Sequence, residues 1–86
     1  CAAPMVLGSV GVLKGKRATC YPGFEKRLTG AEYTGELCTI DGNITTGKGP
    51  AAAFIYGFTL LEQLTSIAIA KEVKDGMLIP ELIKLH

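Results

Sequence analysis

The 86 residues carry almost no net charge, nine Lys and Arg against eight Asp and Glu. Binding to a phosphate backbone calls for a basic excess, so the sequence argues against a nucleic-acid partner. No apolar run reaches the roughly 18 residues of a membrane span; the longest candidate is interrupted by Gly57, Thr59, Glu62 and Gln63. Cysteine occurs three times, at positions 1, 20 and 38. That is too sparse for a disulfide scaffold and too widely spaced for a zinc knuckle, and it fits a reducing, cytoplasmic setting. Neither a metal nor an organic cofactor is expected. Histidine occurs once, as His86. The chain opens on Cys and runs at once into apolar residues, so there is no signal-peptide n-region to read; either it was processed or something upstream is absent.

What is present is ordinary globular material, 48% apolar and 20% charged, which sets disorder aside. A self-sufficient chain of this size buries only about 60 to 65% of its unfolded surface, so a missing strand is costly to it. The sequence therefore reads as one small domain or part of a larger one.

Pro4 suits the first turn of a helix, and the apolar stretch behind it predicts a helix from about Ala2 to Leu13. Gly8 and Gly11 weaken that helix by roughly 1 kcal/mol each, a cost accepted where another backbone lies close. Arg17 to Cys20 reads as a short buried strand closed by Tyr21-Pro22-Gly23, and Phe24 to Leu28 as a helical turn or two. Glu36 to Thr46 reads as a hairpin turning at Asp41-Gly42-Asn43. Beyond Pro50, the spacing of Phe54, Phe58, Leu61 and Leu64 predicts a helix from Ala51 to Leu64 with one apolar face. Thr65-Ser66 then caps a second helix, Ile67 to Asp75, stopped by Gly76 and followed by an apolar tail from Met77 to Leu85. Strands alternating with helices suggest α/β architecture, yet there are too few strands for a covered parallel sheet.

Cys1 stands directly before a helix start. A thiolate there gains from the positive end of the helix dipole and from the unpaired amides of Ala2 and Ala3, which lowers the thiol pKa and raises its reactivity. Cys1 is therefore the candidate nucleophile. Gly47-Lys48-Gly49-Pro50 has the look of a phosphate loop, but it lacks the P-loop spacing, and Pro50 removes an amide that a phosphate needs. Its expected role is structural, with Gly49 and Pro50 setting a strand-to-helix turn. Cys20 and Cys38 are expected to be buried small hydrophobes, Tyr33 and Tyr56 packing or surface residues, and the scattered Lys and Arg solvated. An N-terminal nucleophile hydrolase and a lipoprotein also begin with Cys. The first belongs to a different layered fold and the second continues into a polar tether, so neither fits.

Cys1-Ala2-Ala3-Pro4 before an apolar helix, with Thr46-Gly47-Lys48-Gly49-Pro50 opening a later one, resembles the ThiJ/PfpI superfamily. Ala18-Thr19-Cys20-Tyr21-Pro22, the Asp41-Gly42 turn and Lys71-Glu72-Val73 share in the resemblance. It implies a Rossmann- or flavodoxin-like three-layer sandwich, of which residues 1–86 are the C-terminal half of one domain. The sheet would be completed by an N-terminal segment or chain that also brings the acidic partner of the cysteine. It further implies a nucleophile elbow at Cys1, an oxyanion site supported by the backbone of Ala2, and a site shaped by Tyr21, Gly49 and Pro50. A homodimer is expected from the family.

Departures from the family pattern narrow the chemistry. Protease-like members carry His after the cysteine where this chain has Ala2, and glutamine amidotransferases need a downstream His-x-Glu that is missing. Both activities are disfavoured. Where many deglycases keep a histidine, this chain has Tyr21, whose phenol donates a hydrogen bond but is a poor base at neutral pH. The implied activity is that of a cofactor-independent glyoxalase or protein deglycase acting on small 2-oxoaldehydes or their adducts. The alternative is a redox-sensing or chaperone-like stress protein in which Cys1 is oxidised without turnover.

Overall fold

The computed structural model describes residues 1–84; His86 and the last residue of the expected apolar tail, Leu85, lie outside them. Two compact units divide at Tyr56 and Gly57.

In the first unit, helix α1 covers Pro4–Ser9, shorter than the expected span from Ala2 to Leu13. Its end follows from its glycines: Gly11 takes φ +83°, a left-handed conformation that stops the helix and turns the chain. The reading of Gly8 holds in atomic detail. A Cβ there would collide with the Arg27 carbonyl and lie 2.9 Å from the Leu28 Cα, so the helix and the following 3-10 turn, Glu25–Arg27, touch backbone to backbone.

Strand β1, Arg17–Ala18, pairs in parallel with β2, Glu32–Tyr33. Glu32 N–H donates to Lys16 O at 2.8 Å and Thr34 N–H to Ala18 O at 2.9 Å. β2 has no counterpart among the sequence expectations, because both its residues are exposed and two positions are too few to show alternation. β1 is two residues shorter than the expected strand, Thr19 and Cys20 being buried but outside the ladder.

The hairpin is present as β3, Cys38–Asp41, antiparallel to β4, Ile44–Gly47, in the register Asp41 opposite Ile44 through Cys38 opposite Gly47. Gly42 at φ +61° is the left-handed residue of its turn, and a positive φ at the first central position is the II′ pattern. The backbone amide of Arg17 donates to Asp41 Oδ2 at 2.7 Å and its guanidinium to Ile40 O at 2.9 Å, tying β1 to the hairpin. Leu13, Ala18, Cys20 and Leu28 form the core, with Phe24, Ala31 and Ile44 packed against it. Each buried leucine contributes about 1.5 to 3 kcal/mol.

A 3-10 turn, Pro50–Ala52, leads into α2, Ala53–Leu64, which begins beyond Pro50 as expected and crosses the unit boundary. Of its predicted apolar face only Phe58 is buried, while Phe54 and Leu64 stay 51% and 83% exposed. The periodicity is helical, but the two ends of that face keep half or more of their surface in water.

In the second unit, α3 covers Ile67–Gly76, and the Ser66 hydroxyl accepts from Ile69 N–H at 3.1 Å as its N-cap. The Lys74 ammonium lies 5.5 Å from the Phe58 ring centroid, a cation–π contact worth about 0.5 to 1 kcal/mol. Gly76 ends α3 as expected, but the left-handed residue is Leu78, φ +62°, which breaks the chain before α4, Ile79–Lys84. No described helix is long and apolar enough to cross a membrane.

The architecture of the described residues is therefore mixed α/β, with one parallel and one antiparallel two-stranded sheet.

Candidate active site

Three segments meet at Cys1. Its backbone nitrogen donates to Gly47 O at the end of β4, at 2.7 Å. Its carbonyl accepts from Tyr21 N–H, just past β1, at 2.8 Å. Residue 1 is thus held on both sides by main-chain bonds, while its side chain is exposed. Met5 N–H donates to Ala2 O and Val6 N–H to Ala3 O, so the first helical turn starts immediately behind the thiol. The amides of Ala2 and Ala3 have no acceptor among the described residues.

Cys1 opens onto a cleft of about 610 Å³, lined by Pro4, Val6 and Leu7 of α1, by Gly47 at the end of β4 and Gly49 beyond it, and by Tyr56 of α2. Its walls are largely apolar, which suits a carbonyl compound better than an anion.

The expected site residues are placed unequally. Cys1 and Gly49 line the cleft, whereas Ala2, Tyr21 and Pro50 stand outside its lining. Tyr21 is nevertheless close: its ring packs over Gly49, where a Cβ would lie 3.4 Å from Cδ1, and its amide holds the Cys1 carbonyl. Gly49 is extended, φ −171°, a torsion any residue adopts, and the Tyr21 ring lies at van der Waals distance from where its Cβ would stand. Pro50 is exposed and begins the 3-10 turn, and Ala52 N–H closes that turn on Gly49 O at 3.0 Å.

Two residues escape a reading of the sequence. Tyr56 was expected to pack or face solvent; it does pack, on Gly47, where a Cβ would meet its ring at 3.1 Å, and it also walls the cleft. Thr46 is buried, and its hydroxyl accepts from Thr19 N–H at 2.9 Å. The one available signal was the glycine on either side of Lys48, since a residue without a side chain beside a strand end often makes room for a ring or another backbone.

Cys20 is buried and Cys38 half-buried. Burial pushes the Cys20 thiol above its ordinary range, and the nearby Glu25 carboxylate adds to the shift. Glu25 itself is held below the usual carboxylate range by backbone N–H bonds, its own and that of Gly23, the latter at 2.7 Å. Among the described residues no cluster of His, Cys, Asp and Glu could hold a metal ion. His86, the one histidine, lies outside them.

The fold is mixed α/β, with Cys1 set between the end of β4 and the start of α1. The DJ-1/PfpI family model matches residues 1–63, and the chain belongs to that family. It is 40% identical over 81 residues to protein DJ-1 homolog A of Arabidopsis thaliana, covering 92% of this chain and 21% of that protein. It is 34% identical to an isonitrile hydratase of Pseudomonas putida, covering 86% of this chain and 33% of the hydratase. To a deglycase of Pyrococcus horikoshii it is 33% identical, over 65% of this chain and 35% of the deglycase. Among solved structures, a cysteine-to-alanine mutant of a DJ-1 superfamily protein from Salmonella typhimurium superposes with a TM-score of 0.80 at 32% identity, covering 88% of this chain and 42% of that one. The chain thus spans less than half the length of the relatives it matches.

Proposed function

We propose that this chain is the nucleophile-bearing half of a cofactor-independent cysteine enzyme of the glyoxalase or deglycase type, acting on 2-oxoaldehydes or their adducts. The observation that carries the reading is the placement of Cys1. Its thiol is exposed at the mouth of an apolar cleft, its backbone is bonded on both sides, and free amides lie directly behind it. The Cys1 thiolate attacks the aldehyde carbon, the C–S bond forms, and the carbonyl electron pair moves to the oxygen, where the Ala2 and Ala3 amides receive it. Rearrangement and hydrolysis consume one water and release the 2-hydroxy acid and the thiol. The proton is shuttled by an acidic residue that we assign to the segment completing the sheet.

The family includes a deglycase and an isonitrile hydratase, so the reaction class is not fixed by membership alone. In favour of the aldehyde are the lack of a histidine base beside Cys1 among the described residues and the apolar walls. Turnover of methylglyoxal by the full-length protein, abolished by Cys1→Ser, is the expected result; no turnover would remove the enzyme reading.

The exposure of the Cys1 thiol also supports a second reading, a redox-responsive or chaperone-like protein in which peroxide oxidises Cys1. A mass gain of two oxygens at Cys1 together with no turnover would favour it. In either reading we place the protein in the cytoplasm as a homodimer whose three-layer sandwich is completed by a further segment or chain.

A further inference from the structure

The two segments that hold Cys1 are themselves tied together, and the tie is a side chain. Past β1 the chain leaves its ladder with β2 after Thr34 N–H has bonded Ala18 O. The next amide, that of Thr19, is buried and is met by the Thr46 hydroxyl at 2.9 Å in place of a backbone acceptor. The hydroxyl of Thr19 is engaged elsewhere, donating to Glu36 O at 2.7 Å, so Thr46 Oγ1 is the atom that joins the two segments at this level. Thr19 lies two residues before Tyr21, whose amide holds the Cys1 carbonyl. Thr46 lies one residue before Gly47, whose carbonyl holds the Cys1 nitrogen.

We propose that the Thr46 hydroxyl is a positioning residue for Cys1, bracing the two shoulders from behind so that the thiol and the amides after it keep a fixed relation. The proposal rests on the reading of Cys1 as the reacting group. A threonine buried only for packing would affect stability, whereas a brace affects one thiol. Without the Oγ1 acceptor the Thr19 and Tyr21 segment is free to part from Gly47, and residue 1 loses its two-sided support. Loosening of the whole fold has the opposite signature, because it would uncover the buried Cys20 and speed its modification.

The test is site-resolved alkylation of the full-length protein by iodoacetamide across pH, read by peptide mass for Cys1 and Cys20 separately, with methylglyoxal turnover in parallel. Thr46→Val is expected to slow Cys1 alkylation at neutral pH roughly fivefold or more and to move its pH–rate midpoint toward that of an ordinary cysteine, with Cys20 still protected. Thr46→Ser, which restores an oxygen, is expected to recover most of the rate. A reactive wild-type Cys1 that Thr46→Val leaves unchanged overturns the brace alone, as does a Thr46→Ser variant no faster than Thr46→Val. A wild-type Cys1 with the profile of a free thiol overturns the functional reading and the brace with it. Should Thr46→Val unfold, Thr46→Ala compared with Thr46→Ser decides by the same criteria. Wild-type amide exchange adds a check that needs no variant: a Thr19 amide exchanging as fast as exposed amides overturns the brace.

Discussion

Gly8 shows how much a single missing side chain can specify. Glycine costs a helix about 1 kcal/mol against alanine, so propensity alone predicts that Gly8→Ala stabilises. The Arg27 carbonyl and Leu28 Cα occupy the space a methyl group would need, and a backbone does not give way as a flexible side chain does. Gly8→Ala is therefore expected to destabilise by about 1 to 2 kcal/mol in urea unfolding, the overpacking outweighing the propensity gain. Cys20 allows a pH prediction. Its folded-state pKa is raised above the ordinary 9.0 by burial and by Glu25, so the neutral thiol is the form that the fold favours. Its contribution is fully present below the unfolded value and is lost as pH rises through the folded one, because the unfolded chain releases its proton first. Unfolding free energy measured between pH 8 and 10 should fall with pH, and Cys20→Ala should flatten that part of the slope.

Ser66 is the clearest test at the level of an element. It caps α3 by accepting from Ile69 N–H, and Ser66→Ala should cost about 1 kcal/mol, visible as a lower thermal midpoint. Elements of this kind were legible from the sequence, since caps, the Gly42 turn, Pro50 before α2 and the closeness demanded by Gly8 are local chemistry written in neighbouring residues. The failures share a physical cause as well. The length of α1 depended on Gly11 turning left-handed, a choice that glycine permits without requiring. β2 owes its existence to partners across space, because Glu32 and Tyr33 have neither the alternation nor the burial of a strand. At the site, Cys1 could be singled out because its position relative to a helix start is a sequence property. Tyr56 and Thr46 reach the cleft and the brace only through the way β4 and α2 are folded, which no local spacing encodes.

The molecule as a whole leaves a good deal of apolar surface in water. Val6, Val10 and Val12, in and just after α1, are 59%, 67% and 46% exposed, and Ile67 and Ile83 of the second unit 72% and 68%. The relatives are more than twice as long, so further polypeptide is available to cover such side chains. The 86-residue chain expressed alone is expected to bind a hydrophobic dye such as ANS and to sediment as concentration-dependent oligomers. If a further segment completes the sheet as proposed, a longer polypeptide carrying it should lose the dye signal. Equal dye binding by the two would argue against a covering segment. The way Cys1 is anchored has one more result. Since its main-chain nitrogen and carbonyl are both engaged and its side chain takes part in neither bond, the residue can be acylated, oxidised or tagged without untying the scaffold, so a fluorophore attached there is expected to monitor traffic through the cleft.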